Sequence, residues 1–309
     1  MSSLLSFMLT GEKRINVKYS MLKRLFASRR HPYIPGLNRP ETIEIDLSGT
    51  KLCLQLPPHH DSDGFEDVQA PIPQVNIYDP ALYRDSTLDD PFSSTVFIKR
   101  NWDYYGPFWR LRRLGYTTFI AVVERVNCLP EGMSCFNPHH LEQALIHLIY
   151  QMGPNTPARG ERIAPVNWVV RQSGDSLWVH YEVHKNLGEL IEEEDFMRAQ
   201  YSSYAVTPLD DRHYLRLMFH NNGYAPVEYA IRHLNVLRDK VCHHIELKLS
   251  PSARAQQEQA RHRWPGARIS LQREPENWVY PEWRYGESGI GEPRVVILKP
   301  GSSPPSFVP

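Results

Sequence analysis

The sequence predicts an α+β fold: two mainly antiparallel sheet-plus-helix units followed by a Pro-rich C-terminal tail. Two hairpin patterns lie far apart in the chain, each with apolar residues at every second position on either side of a tight glycine turn. Each is followed by a further strand pattern and then by a helix whose apolar residues recur at spacings of three and four. The two halves share this order, but their elements are not evenly spaced, so no fixed-period repeat is expected. The divisions expected are a basic N-terminal arm over 1–40, a first α+β unit over 41–153, a second over 165–263, and a Pro/Trp-rich wrapping tail over 264–309.

The first hairpin comes from Ile43, Ile45 and Leu47, the turn Ser48-Gly49-Thr50, and Leu52, Leu54 and Leu56. Residues 57–93, with six prolines, read as loop, with Gln74 to Tyr78 as a short edge strand. Ser94 to Lys99 and Thr117 to Val126 read as strands, and the unbroken run FIAVV in the second suits a central position covered on both faces. Asn137-Pro138 opens a helix, with a side-chain cap followed by proline where its missing N–H costs nothing. Leu141, Ala144, Leu145, Leu148 and Met152 share one face of that helix.

A Gly/Pro-rich link, Gly153 to Pro165, precedes the second hairpin: Asn167 to Arg171, the turn Ser173-Gly174-Asp175, and Leu177 to Val183. An acidic helix is expected near Gly188 to Tyr201, then a strand His213 to Phe219 and a turn at Asn221-Asn222-Gly223. Val227, Ala230, Leu234, Leu237 and Val241 mark the clearest helix. A short strand Leu247 to Leu249 and a polar surface helix Ala253 to Arg263 complete the second unit.

The 309 residues are 41% hydrophobic and 23% charged, the composition of a soluble folded chain. No stretch approaches 18 consecutive apolar residues, and the start does not read as a secretory signal, so the expected location is the cytoplasm. Lys plus Arg and Asp plus Glu number 35 each, but they are segregated. Residues 1–40 carry eight bases against Glu12, a charge of +7, and residues 41–95 carry eleven acids against Lys51 and Arg84, a charge of −9. Opposed patches of this kind favour a specific protein partner over nucleic acid.

No diagnostic catalytic motif is present. GxSxG, GxGxxG and GxxxxGK are absent, and the four cysteines, Cys53, Cys128, Cys135 and Cys242, form no CxxC pair and read as reduced, mostly buried thiols. The histidine groups His59-His60-Asp61-Ser62-Asp63, His139-His140 with His147, and His243-His244 lack the spacing of a zinc motif and read as solvated or hydrogen-bonded side chains. No metal and no cofactor are expected. The acidic run Glu192-Glu193-Glu194-Asp195 reads as a solvated face or interaction patch.

Two segments stand out for binding. Lys18 to Arg30 is basic and amphipathic, with Tyr19, Leu22, Leu25 and Phe26 on its apolar side, and suits a helix packed on its own body, an acidic partner or an anionic membrane. The stretch from Asn101 to Arg113 is dense in aromatic and Arg side chains, fitting either a rigid contact surface or a packed connection between strands. The partner-binding residues expected are Trp102, Tyr104, Tyr105, Trp109 and Arg110, with Glu192, Glu193, Glu194, Asp195, Asp89 and Asp90 steering a basic partner.

The opening hairpin ETIEIDLSGTKLCLQLPP, the acidic loops after it, and the segment NVLRDKVCHHIELKLS resemble accessory or immunity proteins of bacterial toxin loci, particularly those of type VI secretion. The two halves are also similar to small α+β modules of the Mog1/PsbP type. The resemblance covers residues 40–250 by pattern and transfers no functional residue. It implies a non-enzymatic protein that neutralises or escorts a toxin or effector. The alternatives are a motif-free hydrolase with its site near the His59 to Asp63 loop, and a peripheral membrane protein that uses the basic arm.

Overall fold

The structure is a computed structural model that describes residues 23–59, 70–83, 90–109, 113–153, 161–186, 199–224, 227–278, 280–284, 295–299 and 301–309. It is an α+β fold with two mainly antiparallel sheets. Strands β1 (Glu41–Leu47) and β2 (Thr50–Leu56) form the first hairpin as expected. Ser48 and Gly49 both have positive φ, the two-residue turn whose twist matches that of the strands it joins. Ile45, Leu47, Leu52, Leu54 and Leu56 share its buried face. β3 (Gln74–Val75) pairs with β1 in parallel, so the small sheet begins at the expected edge strand.

The large sheet is built from β4 (Phe92–Tyr105), β5 (Arg113–Val126), β6 (Glu161–Ser173), β7 (Ser176–Asn186), β8 (Ala199–Pro208) and β9 (His213–Gly223). Its order is β4-β5-β9-β8-β7-β6, so the expected boundary at 153–165 falls between elements of one continuous sheet. β5 lies between β4 and β9. Its unbroken apolar run feeds both faces: Phe119, Ala121 and Val123 enter one core, and Val122 and Val126 the other.

Among the described residues, three α-helices pack on the sheets: α1 (Pro138–Met152), α2 (Val227–His243) and α3 (Pro251–Arg263). Asn137 caps α1 through a bond from the His139 amide to its side-chain oxygen, and Pro138 follows as expected. α1 covers one face of the large sheet, and its buried side extends beyond the predicted stripe to His140, Glu142, Gln143, Ile146 and Ile149. α2 and the small sheet cover the other face, with Leu234, Leu237 and Val241 packed among the hairpin and sheet residues. A further strand of the second half, β10 (Glu246–Lys248), pairs with β2 and thereby joins the small sheet.

The tail lies across α1. Ser270 N–H and Arg273 reach Glu142, Val308 exchanges bonds with Gln143, and Phe307 stacks on His147 at 4.1 Å. It also contains a ribbon, β11 (Tyr280–Arg284) with β12 (Val295–Lys299), that the proline content did not suggest.

Three expectations are corrected. Ala199 to Pro208 is a strand, so the acidic helix does not reach Tyr201, and residues 187–198 lie outside the described residues. Asn221 and Asn222 continue β9 and are buried rather than turning. Asn221 is held there by a bond from Thr117 Oγ1 to its Oδ1 at 2.8 Å, which satisfies a polar side chain in the sheet interior. β4 runs six residues past Lys99, and Trp102 and Tyr104 belong to its core face.

Candidate binding surface

The turn of the β4–β5 hairpin carries two exposed aromatic side chains. Phe108 and Trp109 are 41% and 63% exposed and meet edge-to-face at 5.0 Å. A Gly106-Pro107 pair precedes them, and the N-terminal segment clamps it: Arg24 Nε donates to Gly106 O at 3.1 Å, and the guanidinium lies 4.8 Å from the Tyr105 ring centroid. Tyr33 and Tyr105 exchange both backbone bonds, 2.8 and 2.9 Å, which covers that end of the β4 edge. Leu25 and Phe26, immediately after Arg24, are exposed, Phe26 at 90%. The end of the basic arm is thus packed on its own body, yet the apolar residues beside the clamp face solvent. Leu25 and Phe26 thus follow the residue that clamps the turn carrying Phe108 and Trp109, and the segment they belong to also holds Lys23, Arg29 and Arg30.

Behind the tip, Arg113 pairs with buried Asp103 at 3.0 Å and lies over the rings of Tyr116 and Tyr224, at 5.1 and 5.6 Å. Asp103 also accepts from Tyr105 OH at 3.1 Å. The hairpin tip therefore rests on a polar and aromatic base whose rotamers are fixed.

A cleft of about 720 Å³ opens between β6, the C-terminal half of α2 and the tail. Its central group is Glu182, which accepts from Asn167 Nδ2 at 2.8 Å and lies 2.7 Å from His184 Nε2, while Arg238 closes on its other oxygen. Asn167 reaches it from a left-handed backbone, φ 53°, at an irregularity of β6, a conformation that Asn tolerates better than most residues. Burial raises this carboxyl, but the bonds from His184 and Asn167 and the charge of Arg238 outweigh it and hold Glu182 below the usual range. Burial, with Arg171 and Arg238 adding to it, pushes His180 down to about 4. Burial pushes the Cys242 thiol up to about 12, and the thiols of Cys53, Cys128 and Cys135 also rise, chiefly through burial. The acid is committed to internal bonds and the thiol is held protonated, so this arrangement shapes the cleft without activating a nucleophile.

The expected contact residues divide. Trp102 and Tyr104 are fully buried: Trp102 Nε1 donates to the carbonyls of Pro57 and Pro58, and Tyr104 OH lies 2.8 Å from Thr117 Oγ1. They are core residues and are withdrawn from the surface. Tyr105 and Trp109 lie at the tip, and Arg110 is outside the described residues. Asp90 is half-buried and its carbonyl accepts from Asn127, while Asp89, Glu192, Glu193, Glu194 and Asp195 also lie outside. The sequence reading missed Phe108, although the Gly106-Pro107 turn signal beside it was available.

The histidines have separate surroundings. His140 is buried against Trp264 at 4.8 Å and accepts from Ser134 N–H, and burial lowers its basicity. His147 is bonded to Pro305 O and lowered by burial. His243 and His244 are exposed, and His59 Nδ1 accepts from Asn101 N–H, while residues 60–63 fall outside the described residues. Among the described residues no group of three His, Cys, Asp or Glu is placed to hold a metal, and no helix is long and apolar enough to cross a membrane. Comparison with protein-family models, curated proteins and solved structures finds no match to this chain.

Proposed function

We propose that this is a non-enzymatic binding protein that recognises a specific protein partner through the β4–β5 tip and the arm packed against it. The resemblance to accessory and immunity proteins of type VI secretion loci makes a toxin or effector, neutralised or escorted, the partner class. The observation that carries the reading is the exposed Phe108–Trp109 pair on a turn braced by Arg24, the residue that precedes exposed Leu25 and Phe26. Aromatic and Arg side chains held in fixed positions lose little entropy on contact and dominate interface energetics. The surrounding Lys23, Arg24, Arg29 and Arg30 favour an acidic counter-surface at this patch. The locked Glu182 and protonated Cys242 in the large cleft support binding over catalysis.

The test is to isolate the partner from native cells and measure its affinity for the wild-type chain and for Trp109→Ala. A loss of about 2 kcal/mol or more, with an unchanged melting temperature, is expected because Trp109 is exposed and supports no core. Association should slow as salt rises, through the arm's cations. Equal affinity in the variant rejects the surface. Binding of anionic vesicles by the wild type, lost in Trp109→Ala, would assign the patch to a membrane instead.

A further inference from the structure

On the α1 face, the large sheet carries polar rows in register beyond the end of that helix. Asn101 faces Thr118, Thr118 faces His220, and His220 faces Ser202; in the next row Asp103, Tyr116, Asn222 and Gln200 are aligned. Arg162 on β6 is opposite Lys185 on β7. These rows border a cleft of about 420 Å³ whose lining includes Met152, Tyr204, Met218, Arg162, Lys185, Arg216 and His220. Its size lies within the range of small-molecule sites, and its lining combines the apolar Met152 and Met218 with the cations Arg162, Lys185 and Arg216.

The charges that act most strongly on His220 are all positive: Arg216 on its own strand, Arg162 on β6, Lys185 on β7 and Lys99 on β4. Burial and those four cations together push its pKa down to about 4, so the imidazole is neutral and its Nδ1 lies 2.7 Å from Ser202 Oγ. The cations that line the cleft, Arg162, Lys185 and Arg216, favour an anion there. One buried donor points to a missing acceptor. Arg216 is bonded to Glu124 through its terminal nitrogen at 3.1 and 3.2 Å, but its Nε–H, although buried, has no acceptor. Buried polar atoms without partners carry the full desolvation cost, which a polar ligand in the cleft offsets.

We propose that this cleft binds a small organic anion, a phosphate ester or carboxylate, with its head among Arg162, Lys185, Ser202 and His220 and its apolar body against Met152 and Met218. Neither Phe108 nor Trp109 lines the cleft, and the site does not depend on the protein-binding reading.

The probes are phenyl phosphate and benzoate, with benzylamine as the cationic counterpart, titrated into the full chain carrying labelled methionine methyl groups. Saturable shifts of the Met152 and Met218 methyl resonances with either anion, and none with benzylamine, are expected. Lys185→Gln should weaken phenyl phosphate about tenfold or more through loss of one charge-assisted contact. Bound anion should also raise the titration midpoint of His220. Trp109→Ala should leave all of this unchanged, which separates the site from the protein-contact surface. Absence of saturable shifts at millimolar anion, or equal affinity in a folded Lys185→Gln protein, overturns the proposal. A response confined to phosphate or to carboxylate identifies the head group.

Discussion

Glu182 is a carboxylate committed to structure. Its folded pKa lies below its unfolded value, so it stabilises the fold fully above about pH 4.3, and that contribution is lost as pH falls through the folded pKa. His180 and His220 act in a higher window: both are neutral in the fold, with pKa pushed down to about 4, and both take up a proton on unfolding near pH 6.5. Stability should therefore decline from about pH 6.5 toward 4 on account of the histidines, and further below that on account of Glu182. Glu182→Gln leaves the partly buried Arg238 with Asp239 as its remaining anion and is expected to cost about 2 kcal/mol at pH 7. It should flatten only the lower window, which urea unfolding at pH 7, 5 and 3 will read. A variant as stable as the wild type at pH 7 would show that Asp239 alone satisfies Arg238. At this scale the sequence was partly readable. Trp102 and Tyr104 alternate as an inward face should, but Asp103 between them is also buried, through Arg113 and Tyr105, and hides the period. Clusters such as Glu182 with Asn167, His184 and Arg238 join residues from three elements and have no signature in spacing.

Among the elements, those with an apolar contrast between faces were legible: the β1–β2 hairpin, β5, and α1 with its Asn137 cap. β8 was not, because Tyr201, Ser203 and Ala205 face one core and Ser202, Tyr204 and Val206 the other, so small and hydroxyl residues occur on both sides. The chemistry of the tail comes from its bonds to α1, which spacing does not show. Glu142, buried in the middle of that helix, accepts from Ser270 N–H at 2.7 Å and from Arg273, which also holds Glu276 at 2.8 Å. Arg273→Met removes the cation and strands Glu142, at an expected cost of about 3 kcal/mol. Because the tail lies on α1, amides of α1 and of 270–278 should lose hydrogen-exchange protection together. Loss confined to the tail would mean that α1 is held by the sheet alone.

At the scale of the whole molecule, the order of elements suggested two units, and the strand pairing joins them. β5 from the first half pairs with β9 from the second along eleven residue pairs, from Gly115 with Gly223 to Arg125 with His213. β10 returns to pair with β2, so the four-stranded and the six-stranded sheets both contain strands from both halves. Sequence patterning cannot report this, since period-two alternation marks which residues face a core but not which strand lies alongside. The consequence concerns folding. A fragment ending at Gly153 would expose the β9-facing edge of β5, with Phe119, Ala121 and Val123 deprived of Leu215, Leu217 and Phe219 from the same core. A fragment over 165–263 would lose the opposite set. The intact chain should therefore unfold in one cooperative transition, with tryptophan fluorescence and far-ultraviolet circular dichroism coincident in denaturant. Neither fragment should fold alone, whereas the two co-expressed should recover the sheet by pairing β5 with β9. Two separated transitions, or an independently folded 41–153 fragment, would show that each half closes its own core and that the β5–β9 seam is an interface rather than the centre of one sheet.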